Sequence, residues 1–361
     1  MSFLRSPLHT LLVGAAASAL GSGISTAQSS RQSISGNEVA IYNLAGRVRV
    51  ESGSGSEVTV EVTRGGRDAK TLQLATSEIR GRNTFRVLYP DDDIVYLRAS
   101  DSRRRYSTDI QVNRDGTWGG EGRSVWRGGR TRVSTSGRGT EAWADLLVRV
   151  PAGKTVAVYL AVGEMSADRV DADLRLDVAS ARVTANGTRG ALTIDAGSGS
   201  VEVRDASGAV LNVDTGSGSV TLDRVRSEQC SIDTGSGGVR GDGVQCGMLR
   251  VDVGSGSVSL AALRSSDAGI ESGSGSITLG FDTSPRAVSV ETGSGSVTMS
   301  LPSDVGAQLD IETGSGGISS DYPVRTTTMR RNTLRGSIGD GSGRIRIETG
   351  SGSVRLRRSL D

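Results

Sequence analysis

The sequence predicts an all-β protein: a single-domain parallel β-solenoid (β-helix) with two-strand rungs of about 19 residues and one long irregular insertion. Three observations predict it. A short motif, IDAGSGSV from Ile194, returns from Val213, Ile232, Val251, Ile270, Val290, Ile311 and Ile347 with few changes. Its acidic residue, taken as position zero, falls at Asp177, Asp195, Asp214, Asp233, Asp252, Glu271, Glu291 and Glu312, and subtraction gives gaps of 18, 19, 19, 19, 19, 20 and 21. Around each acid, apolar and polar residues alternate with a period of two, the pattern of a strand with one buried face.

The chain opens on Arg5, an apolar run from Leu11 to Leu20 and the small-residue site Ser25-Thr26-Ala27. This order reads as a cleaved secretory leader over 1–27, too short in its apolar part to span a membrane. Residues 28–36 read as a linker. The solenoid domain then runs over 37–361. Val39 and Ile41 alternate first, and Val48 and Val50 fit positions minus three and minus one before Glu51. Val58 and Val60 follow the corner, and Val158 to Met165 fits the frame with its acid lost.

In the regular repeats, position minus three holds Leu192, Leu211, Cys230 and Leu249, and position plus six holds Val201, Val220, Val239 and Val258. Each rung is therefore two short strands joined by a Gly-Ser-Gly corner. Glycine suits a sharp corner because it accepts positive φ. The opposite corner, as at 204–208 and 224–228, varies in sequence and reads as the loop side. Glu348 lies 36 residues beyond Glu312, which leaves room for a degenerate rung centred on Asn332. Arg355, Arg357 and Arg358 on the last strand read as a charged cap against edge-to-edge stacking.

The insertion covers about 98–142 and is rich in Arg, Gly and Ser, a composition that predicts a mobile excursion. Its Arg103, Arg104, Arg105, Trp118, Trp126, Arg127 and Arg130 are the candidate ligand-binding residues. Arginine grips phosphate or carboxylate, and tryptophan stacks on sugars. The partners they suit are an anionic envelope glycan, lipopolysaccharide or a matrix polymer.

The formal net charge of +2 points to neither a nucleic-acid binder nor an acidic tail. The only histidine, His9, lies in the leader. A mature chain without histidine has no Ser-His-Asp or Cys-His nucleophile and no His-ligated metal. No cofactor is expected. The acidic series Asp195, Asp214, Asp233, Asp252, Glu271, Glu291 and Glu312 points outward. It reads as a solvated stripe, with a Ca²⁺ ladder as the alternative. Against Ca²⁺, the acid here precedes the glycine turn, whereas Ca²⁺-binding solenoids place it after. Pro90 and Asp91 to Asp93 mark a turn. Export permits a disulfide between Cys230 and Cys246. Cys230 sits in the core phase and Cys246 near the variable corner, so both free and paired states stay open.

EVAIYNLAGRVRVE from Glu38, LLVRVPAGKTVAV from Leu146 and RIRIETGSGSVRL from Arg344 resemble the bacterial putative-adhesin family, a domain of unknown function. The resemblance covers nearly all of the mature chain. It implies a secreted or envelope-facing β-solenoid and carries no catalytic residues to transfer. The expected function is a non-enzymatic exported scaffold, adhesin-like, in the periplasm, at the cell surface or outside the cell. The alternatives are a polysaccharide lyase or hydrolase on a parallel β-helix and a self-associating envelope filament.

Overall fold

The computed structural model describes residues 29–97, 107–119 and 128–359. The leader falls outside them. Strands make up nearly everything described, with one 3₁₀ turn at Ala69–Thr71. Twenty-five strands join in one hydrogen-bonded sheet, and four more form a separate small sheet.

Two parallel ladders run through the repeats, one for each strand of the motif. In the first, Leu192 lies beside Leu211, Leu211 beside Cys230 and Cys230 beside Leu249. In the second, Val201, Val220, Val239, Val258, Ile277 and Val297 follow one another in the same way. All of these side chains are buried. Like pairs with like because a slip of one residue would turn the aliphatic face outward. Each full burial of a Val, Ile or Leu is worth about 1.5–3 kcal/mol. A chain with only 3% aromatics is thus held by many equal small contributions.

The Gly-Ser-Gly corners differ from expectation. Of the motif glycines from Gly197 onward, only Gly199 has positive φ. The two glycines of each later Gly-Ser-Gly run are required by close approach instead: a Cβ on Gly218, Gly237, Gly256 or Gly275 would land on a carbonyl oxygen of the repeat below. The left-handed residues sit at the opposite, variable corner, once per repeat, at Arg169, Gly187, Asp205, Arg224, Gly243 and Ala262. That corner varies in sequence and is regular in backbone.

The first repeat is the strand Glu38–Ser52, and Thr155–Asp168 stacks on it directly in parallel. Its phase corrects the sequence reading. Ile41 pairs with Val158 and Val48 with Met165, so Tyr42 occupies position zero and Val48 position plus six. Both phases satisfy the alternation, which is why the pattern alone misplaced it. After Ser52 the chain does not continue the stack. Val58–Gly65 runs antiparallel to Trp143–Val150 and to Ser29–Ile34. The stretch expected as a linker over 28–36 therefore carries an edge strand.

The C-terminus brings the largest correction. The strand Gly343–Thr349 pairs with Ala287–Thr292 on one side and with Ala307–Thr313 on the other. Val354–Arg358 likewise lies between Val297–Leu301 and Ile318–Ser320. The last repeat in sequence is therefore inserted between the two before it, and Arg355, Arg357 and Arg358 do not cap an end. The cap is the hairpin Arg325–Arg330 and Thr333–Ile338, whose second strand runs antiparallel to Ala307–Thr313. No degenerate repeat centres on Asn332. The hairpin covers one edge of 307–313 and leaves the other for the returning chain.

Candidate functional site

Register pairing puts the acids in one file. Its order is Asp177, Asp195, Asp214, Asp233, Asp252, Glu271, Glu291, Glu348 and Glu312. Neighbours are about 4.8 Å apart, the spacing of paired strands. Partial burial and the next acid along push the carboxyls of Asp214 and Asp233 above their ordinary value. At the far end of the file the charge is offset: Arg335 bonds Asp310 and Glu312, and Arg346 bonds Glu348. Among the described residues no group of three His, Cys, Asp or Glu converges to hold a metal ion.

Inside each corner lies a row the sequence reading missed. The residue after the acid is Thr215, Thr234, Ser272, Thr292, Thr313 or Thr349, all buried. The Gly237 N–H donates to the Thr234 hydroxyl at 3.0 Å, and that hydroxyl donates to the Gly218 carbonyl at 3.2 Å. The same pair of bonds recurs at Ser272, Thr292 and Thr349. These hydroxyls tie one repeat to the next from inside, and corner serines add outer bonds where Ser198 meets Ser180 and Ser296 meets Ser353. The polar-or-apolar mixture at this position (Val253 and Ala196 also occupy it) hid the signal.

The other end of the file is covered. Position zero becomes Tyr159 and then Tyr42, whose rings stack with centroids 4.2 Å apart. Trp118, from the insertion, meets Tyr159 edge-on at 5.9 Å. A Cβ on the adjacent Gly119 would lie 3.3 Å from an Asp177 carboxylate oxygen, so the insertion seats its backbone on that side chain. Asp177 is only 7% exposed. Burial first, then Asp195, pushes its carboxyl up to about 6, against the lowering pull of Arg175, 3.8 Å away. Asp177 can therefore change charge near neutral pH.

The insertion is no loose excursion where it is described. Asp93–Val95, Ser107–Val112, Gly129–Ser134 and Thr140–Glu141 form the four-stranded sheet. Its Ile94, Tyr96, Ile110 and Val133 bury against Tyr42 and Tyr159 in a second core. Composition concealed this because a handful of apolar residues, alternating along short strands, suffices to seat it.

Arg103, Arg104, Arg105, Trp126 and Arg127 lie outside the described residues. Trp118 is in the second core, with no face free to stack on a sugar. Arg130 is exposed and bonds Asp109, whose carboxyl it holds below the ordinary range. Asp91 accepts from the Thr140 hydroxyl and the Asp92 carbonyl accepts from Arg132 N–H, so this acidic turn anchors the small sheet. Cys230 and Cys246 are joined in a disulfide. The phase of Cys230 did not oppose pairing, because Cys246 is buried in the same core from the neighbouring repeat.

Comparison with known proteins adds three findings. The family model described as Toastrack DUF4097 matches residues 127–357, more than half of the chain. No curated protein sequence matches. Among solved structures, a putative cell adhesion protein from Clostridium sporogenes aligns over 92% of this chain and 100% of its own, at 11% identity and a TM-score of 0.23.

Proposed function

The chain belongs to the Toastrack DUF4097 family, a domain of unknown function, and on that footing we propose that it is a non-enzymatic, exported β-solenoid scaffold that presents a repeating surface to the cell envelope or its matrix. The two parallel ladders with offsets of about 19 residues are what a two-strand solenoid rung requires. The observation that carries the reading is the in-register file of outward carboxylates from Asp195 to Glu312. Side chains repeated at one strand spacing make a long, flat, regular face, suited to an extended partner and unlike an enclosed reaction site. The sequence adds that no histidine follows His9. The capped terminal edge at 325–338 favours presentation over end-to-end filament growth. Export rests on the leader. Among the described residues no helix is long and apolar enough to cross a membrane.

A glycan and lipid array probed with the chain from residue 28 tests this, read together with the size distribution of the same polysaccharides after incubation. Salt-sensitive retention on envelope or matrix polymers, with their lengths unchanged, is expected. Absence of retention on every such polymer, or shortening of any of them, contradicts the scaffold reading.

A further inference from the structure

We propose that one side of the stack binds a linear acidic polysaccharide whose carboxylates recur on alternate sugars, along a row of arginines spaced two rungs apart. The proposal rests on the scaffold reading and adds a place and a partner class.

The row lies at the variable corner. Arg189 neighbours Ser207, Ser207 neighbours Arg226, Arg226 neighbours Gln245, and Gln245 neighbours Arg264, each one rung along in parallel register. Cation and neutral hydrogen-bonding residue thus alternate, and successive guanidinium groups stand about 10 Å apart, twice the strand spacing. All three arginines are exposed. Arg189 and Arg226 make no ion pair among the described residues. Arg264 rests loosely on Asp282 at 3.4 Å. By contrast Arg224, two residues before Arg226, is held by Asp205 and Asp223 and is already neutralised.

Beside Arg226, Gln245 and Arg264 runs a groove of about 720 Å³. Its floor is low because Gly208 and Gly247 carry no side chain and because the Ser227 and Ser265 hydroxyls turn back onto the Gln229 and Asp267 carbonyls. Backbone and small polar groups on the floor suit the hydroxyls of a sugar chain, and arginine suits a carboxylate. Glu228 also lines the groove. A carboxylate there disfavours a partner with a charge on every unit, which would also place anions opposite neutral Gln245. Charge spacing therefore selects a polymer with one carboxylate per disaccharide over a denser polyanion such as a polyuronate or nucleic acid.

The test uses the chain from residue 28 and three probes at low salt: hyaluronan oligosaccharides with a carboxylate on alternate sugars, polygalacturonate with one on each, and single-stranded DNA. Hyaluronan is expected to bind tightest. The Arg226→Ser/Arg264→Ser double variant should weaken it about tenfold or more, and the binding that remains should be less sensitive to salt. Arg240→Ser, an exposed arginine on the other strand ladder, should change neither. Thermal melts of the variants confirm folding, since exposed arginines contribute little to stability. Equal binding by the double variant, equal loss on Arg240→Ser, or preference for polygalacturonate or DNA overturns the proposal. If the double variant alone still adheres to envelope or matrix polymers on the array, the scaffold reading survives and the groove assignment fails.

Discussion

At the residue scale, position plus one separates what sequence shows from what it hides. The inward aliphatics were legible because a period of two admits one phase where a glycine corner fixes it. The Thr234 type of residue was not, because a buried hydroxyl looks like any corner polar residue until its two partners are seen. Val253 stands where Thr234 stands, one rung on, and is equally buried. Val253→Thr places a hydroxyl between the Gly256 N–H and the Gly237 carbonyl, as its neighbours do. It should stabilise the fold by about 0.5–1.5 kcal/mol in chemical denaturation, and Thr234→Val should cost about as much. No gain from the first would show that the hydroxyl row is incidental. Asp177 makes a second prediction at this scale. Its folded carboxyl titrates at about 6, above the ordinary 3.8, so between those values the folded state holds the extra proton. Stability then falls as pH climbs through that window, and the cost is fully present above it. Asp177→Asn should remove this slope and add on the order of 2 kcal/mol at pH 7.5. An unchanged pH profile would refute the assignment.

At the element scale, the two corners invert a natural expectation. The glycine corner is nearly free of positive φ, and the variable corner carries it in every rung from Arg169 to Ala262. Sequence made the glycine corner legible and its reason illegible, because close backbone approach and a left-handed turn both demand glycine. Two substitutions separate the causes. Gly237→Ala drives a Cβ into the Gly218 carbonyl and should cost about 3 kcal/mol or more. Ala262→Gly relieves a left-handed alanine, φ 47°, at a place where Gly187 and Gly243 already serve. Its gain, net of unfolded-state entropy, should be about 0.5–1 kcal/mol. Melting temperatures that moved the other way would reverse the roles of the corners. The insertion shows the limit of composition at this scale. The Arg-Gly surroundings of Trp118 suggest a ligand-stacking group, yet the small sheet carries it into contact with Tyr159.

At the scale of the whole molecule, the stack, its strand phase and its rung length were legible from Asp177 to Glu312. The rung order was not. In a parallel in-register repeat every rung offers the same aliphatics to the next, so chain order and any permuted order satisfy the core equally. The deciding term is local: the hairpin 325–338 covers the Ala307–Thr313 edge, and Arg335 meets Asp310 and Glu312 there. The returning strand must then enter between two earlier rungs. The disulfide from Cys230 to Cys246 fastens the middle of the stack and, for so short a loop, is worth about 3 kcal/mol. The presented faces, the carboxylate file included, depend on this order. Oxidation of two double-cysteine variants tests it most directly, because a disulfide requires Cα atoms within about 7 Å. Ser289 neighbours Arg346, and Arg346 neighbours Asp310, each across one strand pairing. Ser289→Cys with Arg346→Cys should close a bond readily, and Ser289→Cys with Asp310→Cys, two rungs apart, should not. Closure of the second pair without the first would place the rungs in chain order and contradict the fold described here.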